Sequence, residues 1–114
     1  AQALGAAARA RGVRLRCHLK IDTGMNRLGF RHDNLARTLP AVLGDAALDV
    51  EAVYTHFATA DDPEHALFET QRLRFDAARA ALAGLGARPT LVHAANSAAC
   101  LRDSRTWADL VRPG

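Results

Sequence analysis

The densest chemistry in this chain lies in the thirteen residues His18-Leu19-Lys20-Ile21-Asp22-Thr23-Gly24-Met25-Asn26-Arg27-Leu28-Gly29-Phe30. Lys20 and Asp22 come close together, Gly24 lets the chain turn, and Arg27 follows. Arginine presents a rigid fork of donors that stays charged, so this stretch suits an anion or a phenolate. A surface ion pair at a strand-to-loop turn uses the same residue types and contributes little. The second stretch is Tyr54-Thr55-His56-Phe57-Ala58-Thr59-Ala60-Asp61. A histidine after a strand can be a base, a ligand or a flat ring against a planar cofactor. It can equally be half-buried and satisfied by backbone. The third is His93-Ala94-Ala95-Asn96-Ser97-Ala98-Ala99, whose small residues let backbone approach a ligand closely. Ser97 stands near a helix start, where free N–H groups favour phosphate, and Asn or Ser there also serves as a plain N-cap. The last is Val111-Arg112-Pro113-Gly114, a weak signal alone because turns commonly use Pro and Gly.

The elements that must position these residues alternate in type. Ala1 to Ala10 reads as the end of a helix stopped near Gly12, and Val13 to Ile21 as a strand with alternating apolar and polar residues in its first half. Asp22 to Gly29 reads as a loop, Asp33 to Leu43 as a short helix, and Leu48 to Thr55 as a second strand. The longest helix is expected over Glu64 to Leu85, with Asp62 as N-cap, Pro63 at its first position, and Leu67, Phe68, Leu73, Phe75, Ala78 and Leu82 as its apolar residues. Thr90 to His93 is a third strand, Asn96 to Leu101 a helical turn, and Trp107 to Val111 a fourth strand. This order predicts an α/β fold of parallel βα units with right-handed crossovers. The alternation alone suits an open doubly wound sheet as well as a (β/α)8 barrel. Lys20, His56, His93 and Arg112 each fall at the C-terminal end of a predicted strand or just past it, where barrels of this type assemble active sites. The expectation is therefore a partial barrel of about four βα units.

Composition narrows the function. The chain has 114 residues and a formal net charge of +3, with an isoelectric point near 9.5. Its arginines are scattered, and Arg72, Arg74 and Arg79 share their stretch with Glu64, Glu69 and Asp76, so no basic face for nucleic acid emerges. Aromatics are too few for a base-stacking platform. Cys17 and Cys100 make no disulfide framework, and no apolar run is long enough to span a membrane. A cytoplasmic protein with reduced thiols is expected. The five histidines, His18, His32, His56, His65 and His93, form no metal-ligand spacing. The chain opens without Met in an Ala-rich helical pattern and stops after Arg-Pro-Gly, so it is expected to be an internal piece of a longer protein.

Taken in order, Lys-x-Asp-Thr-Gly-Met-x-Arg-x-Gly, Thr-His-Phe-Ala-x-Ala-Asp, His-Ala-Ala-Asn-Ser and Val-Arg-Pro-Gly resemble the running signature of the alanine racemases, from Lys20 to Gly114. The resemblance implies that residues 1–114 are part of an N-terminal barrel that binds pyridoxal 5'-phosphate (PLP). A C-terminal β domain would lie outside the chain. It implies a homodimer with composite sites, an amino-acid substrate, and interconversion of L- and D-alanine, which supplies D-alanine for peptidoglycan. The lysine that holds PLP as a Schiff base and the tyrosine base of the opposite face would lie elsewhere, so this piece alone is expected to be inactive. By the same resemblance Arg27 bonds the cofactor's phenolic oxygen, and Lys20 is a candidate for carbamylation that would hold Arg27. His56 packs against the pyridine ring. Ser97 and the Gly114 N–H bind the phosphate, Arg112 bonds the pyridine nitrogen with His93 behind it, and Asn96 supports that network. The rivals are a racemase for serine, lysine or several amino acids, a non-catalytic PLP-binding barrel, and a metal-assisted PLP-dependent aldolase or dehydratase.

Overall fold

A computed structural model describes all residues from Ala1 to Gly114. The elements, in chain order, are α1 (Gln2–Ala10), β1 (Leu15–Asp22), β2 (Phe30–Arg31), α2 (Leu35–Thr38), α3 (Pro40–Leu43), β3 (Leu48–Tyr54), α4 (Leu67–Gly84), β4 (Leu91–Asn96), α5 (Ser97–Arg102) and β5 (Leu110–Arg112), with a 3-10 turn over Ser104–Thr106. All strand pairings are parallel, and the sheet order is β2-β1-β3-β4-β5. From β1 through β3 and β4 to β5 the strands advance in one direction, while the two-residue β2 pairs with the other edge of β1. A doubly wound sheet reverses direction at a switch point; the β1-β3-β4-β5 series does not.

The helices also keep to one side. A single core cluster joins Leu35 of α2, Leu39 at the junction of α2 and α3, Phe68, Phe75, Ala78 and Leu82 of α4, and Ala99 of α5 to Leu19, Ile21, Val53 and Ala94 of the strands. Burial of large members such as Ile21, Leu39 and Leu82 contributes about 2 kcal/mol each. In β1 the residues alternate, with Leu15, Cys17, Leu19 and Ile21 more buried than Arg16, His18 and Lys20. The opposite face of the sheet is polar, with Arg14 paired to Asp49 at 3.2 Å and Arg16 to Glu51 at 3.3 Å across β1 and β3. Sequential parallel strands, helices on one face and a polar inner face describe an arc of a (β/α)8 barrel.

Several boundaries differ from the sequence expectation for identifiable reasons. The sheet has five strands, because Phe30 and Arg31 pair with Ile21 and Asp22 at the edge of β1. The helix expected over 33–43 is two four-residue helices, since Pro40 lacks the N–H to continue α2 and instead opens α3. The long helix begins at Leu67 without a side-chain cap. Asp62 instead accepts from the Glu64 N–H in a local turn, and Arg102 donates to the carbonyls of Thr59, Ala60, Asp62 and Pro63. Those carbonyls are held in a loop. On α4 the buried stripe is Phe68, Gln71, Phe75, Ala78 and Leu82. Leu73, expected inside, is 55% exposed, and Gln71 is fully buried. The strand expected to begin at Trp107 begins at Leu110, because Ala108 has φ of 47° and Asp109 accepts from the Val92 N–H. β4 runs on to Asn96, which leaves His93 inside the strand rather than at its end.

Candidate functional site

The mouth of the arc is built on the loop after β1. Asp22, the last residue of β1, turns its carboxylate back on the chain and accepts from the N–H groups of Gly24 at 2.9 Å, Asn26 at 3.1 Å and Arg27 at 3.1 Å. Burial opposes the charge on Asp22, but these amides outweigh it and hold the carboxyl below its usual range. Asn26 takes a left-handed conformation with φ of 57° to fit this turn. Gly29 is required where the loop returns, since a Cβ there would stand 2.8 Å from the Lys20 carbonyl oxygen, and its φ is +120°. The Asp-Thr-Gly-Met stretch thus uses its acid to shape a loop, and that loop carries Arg27.

With Asp22 engaged by backbone, the cations at the mouth face one another. Burial pushes the Lys20 ammonium down from its ordinary value; Arg27 and Arg112 push the same way, while Asp22 opposes them. Burial also lowers His56, helped by Arg112, Arg27 and Lys20. Neither ring nitrogen of His56 and no side-chain donor of Lys20 or Arg27 forms a hydrogen bond within the protein. Positive groups gathered at the C-terminal end of a parallel sheet, with donors free, have the chemistry to attract an anionic ligand.

Arg112, at the end of β5, is more tightly held. It donates from Nη2 to the carbonyls of Thr55 at 3.0 Å and Ala94 at 3.1 Å, and from Nη1 to His93 Nδ1 at 2.7 Å. These bonds use three of its five N–H groups. His93 is 5% exposed. Burial first, then Arg112 and His18, lower its pKa to about 4. Tyr54 stacks on the His93 ring with centroids 4.6 Å apart.

The end of β4 supplies the third part. Asn96 caps α5, accepting from the Ala99 N–H at 3.0 Å while its amide donates to the Phe57 carbonyl at 3.2 Å. It therefore ties α5 to the loop that follows His56. The Ser97 hydroxyl meets Gly114 on both sides, accepting from its N–H at 3.0 Å and donating to its carbonyl at 3.1 Å. Two donors from distant parts of the chain converge where the strands end.

All 114 residues match the family described as "Alanine racemase, N-terminal domain". The chain belongs to the alanine racemase family. It is 45% identical over 116 residues to an alanine racemase of Desulforamulus reducens, covering all of this chain and 31% of that protein. It is 46% identical over 101 residues to an alanine racemase of Listeria monocytogenes, covering 88% of this chain and 27% of that one. The chain thus spans about a third or less of the curated alanine racemases it matches. Among solved structures, the alanine racemase of the D-cycloserine producer Streptomyces lavendulae superposes with a TM-score of 0.92 at 36% identity, over 99% of this chain and 30% of that one. The Bacillus anthracis alanine racemase with bound L-Ala-P gives 0.87 at 36% identity with the same coverage. The partial-barrel fold follows from these superpositions as well as from the strand order.

The alanine racemase motifs account for the mouth but not for what supports it. The structure brings Lys20, Arg27, His56 and Arg112 together, His93 onto Arg112, and Ser97 onto Gly114. Sequence reasoning passed over Gln71, whose side chain donates to Thr23 Oγ1 at 3.1 Å and the His56 carbonyl at 3.0 Å, and accepts from the Ala58 N–H at 2.8 Å. Its one signal is a polar residue at the helical spacing of the apolar stripe. Thr23 and Thr55 join the same network at 2.7 Å.

Proposed function

We propose that this chain is the cofactor-holding arc of the N-terminal barrel domain of an alanine racemase, which binds PLP and interconverts L- and D-alanine. The observation that carries this reading is the set of uncommitted cationic donors at the mouth beside a serine hydroxyl paired to a glycine N–H. PLP offers three anionic or acceptor positions, its phosphate, its phenolic oxygen and its ring nitrogen, and the chain offers donors suited to each. When bound, PLP supplies an electron sink for the pair left behind as a proton leaves the substrate's α-carbon.

Ser97 Oγ and the Gly114 N–H would hold the phosphate, exchanging their mutual bond for bonds to its oxygens. Arg27 would donate to the phenolic oxygen and help place the substrate carboxylate. His56, with burial and three cations favouring its neutral form, would lie against the ring. Arg112 would turn an uncommitted N–H to the ring nitrogen. A guanidinium does not give up its proton at working pH, so the nitrogen stays unprotonated and the ring withdraws less charge. That favours return of a proton to the α-carbon over transamination. Asn96 would support the network through the His56 loop.

Lys20 fits the proposed carbamylation. Burial and two arginines favour its neutral amine, the form that attacks the carbon of carbon dioxide with loss of one proton. The resulting carbamate would be an anion beside Arg27. The lysine that holds the cofactor and the tyrosine base are assigned to other parts of the full-length protein, including a C-terminal β domain, and these 114 residues alone are inactive. A cytoplasmic homodimer supplying D-alanine for peptidoglycan completes the reading. It is tested by giving the full-length protein L-alanine and PLP and following optical rotation. Decay to zero rotation supports the proposal. Rotation that persists with alanine but decays with serine or lysine assigns another substrate.

A further inference from the structure

Arginine has donors and no acceptor. The 2.7 Å contact between Arg112 Nη1 and His93 Nδ1 therefore has one direction, and Nδ1 carries no proton. A neutral His93 then carries its proton on Nε2. That nitrogen lies 3.1 Å from His18 Nδ1, which must accept. His18 in turn keeps its proton on Nε2, 4.0 Å from Glu51 Oε2. The other oxygen of Glu51 accepts from Arg16 at 3.3 Å, which anchors the carboxylate on the inner face of the sheet. The row runs from Arg112 on β5 through His93 on β4 and His18 on β1 to Glu51 on β3, and the Arg112 and His93 donors both point away from the mouth.

The row removes an ambiguity that an isolated histidine would have. Tyr54 lies at 11° to the His93 ring and confines its plane. Within that plane a ring flip would set carbon atoms against both Arg112 and His18. The other tautomer would set N–H against the guanidinium. We propose that His18 and Glu51 are positioning residues for Arg112, acting through His93, and that they keep its Nδ1 free to hold the guanidinium at the mouth. Neither touches the mouth itself. The kinetic part of the test rests on the racemase reading, whereas the tautomer part does not.

The experiment uses the full-length holoenzyme with nitrogen-15 histidine. In the native protein the His93 ring is expected to show a bare Nδ1 and a protonated Nε2 by NMR. His18→Leu, which offers no acceptor, should shift or broaden both signals and lower kcat roughly tenfold with KM for the amino acid nearly unchanged. His18→Gln, whose amide oxygen can accept and whose amide nitrogen can face Glu51, should restore most of both. Glu51→Gln should move the same signals to a smaller extent, and it decides the matter if His18→Leu does not fold. Native His93 signals in both His18→Leu and Glu51→Gln would overturn the proposal, as would a loss of kcat without any change in them. A protein that racemises nothing would remove the function reading and still leave the ring signals to decide this one.

Discussion

The Gln71 amide, fully buried on α4, reaches Thr23 Oγ1 at 3.1 Å and so joins the loop after β1 to the loop after β3. Three backbone or hydroxyl partners depend on that one side chain. Gln71→Leu keeps much of the volume and leaves the Ala58 N–H and the His56 carbonyl unpaired. A buried unpaired polar group costs about 1–3 kcal/mol. The variant of the full-length protein should lose about 3 kcal/mol in denaturant unfolding. A negligible loss would show that Gln71 does not bridge the two loops.

Glycine substitutions separate strain from crowding. Gly12 and Gly29 both have positive φ, but a Cβ at Gly12 meets nothing within 4 Å, whereas one at Gly29 meets the Lys20 carbonyl at 2.8 Å. Gly12→Ala should cost about 1 kcal/mol from conformation alone. Gly29→Ala should cost clearly more and also displace Lys20. Equal unfolding midpoints for the two variants would contradict the crowding.

The pH dependence of stability follows from His93. Its pKa falls from 6.5 to about 4 on folding, so the unfolded chain binds more protons between those values. Stability therefore rises with pH there, and about 3 kcal/mol is lost as pH falls from about 6.5 to about 4. His56, also lowered, adds in the same direction. His93→Gln retains an acceptor for Arg112 and should flatten the slope in this window. Carboxylates held low, such as Asp22 and Asp45, act lower on the pH scale. An unchanged slope in His93→Gln would assign the acid sensitivity elsewhere.

The residues at the mouth were legible because their chemistry is uncommon and their order is specific. Lys20, His56, His93 and Arg112 come from separate elements, yet their placement at or near predicted strand ends already pointed to one end of a barrel, and Arg27 was added by the motif that follows Lys20. The structure moves His93 inward, because β4 continues three residues beyond it. What was not legible depends on tertiary competition. Asp62 and Pro63 look like a helix start, but Arg102, about forty residues later, holds the nearby carbonyls in a loop. Leu73 fits an apolar count, but the stripe at spacings of three and four selects Gln71 instead. The tautomer row through His18 depends on neighbours across strands, which no local pattern encodes.

Removal of the Ser97 hydroxyl should separate cofactor affinity from chemistry. Ser97→Ala deletes one proposed phosphate donor and leaves the Gly114 N–H. PLP affinity of the full-length protein should fall about tenfold or more, by the worth of a charge-assisted hydrogen bond. Under saturating PLP, kcat should be largely recovered. Unchanged affinity would place the phosphate elsewhere.

The most direct test of the central claim is a crystal structure of the full-length protein with PLP. The account predicts the phosphate within hydrogen-bond distance of Ser97 Oγ and the Gly114 N–H, Arg27 at the phenolic oxygen, and an Arg112 N–H at the ring nitrogen. A cofactor bound away from these residues, or turned so that Arg112 faces the phosphate, would contradict it.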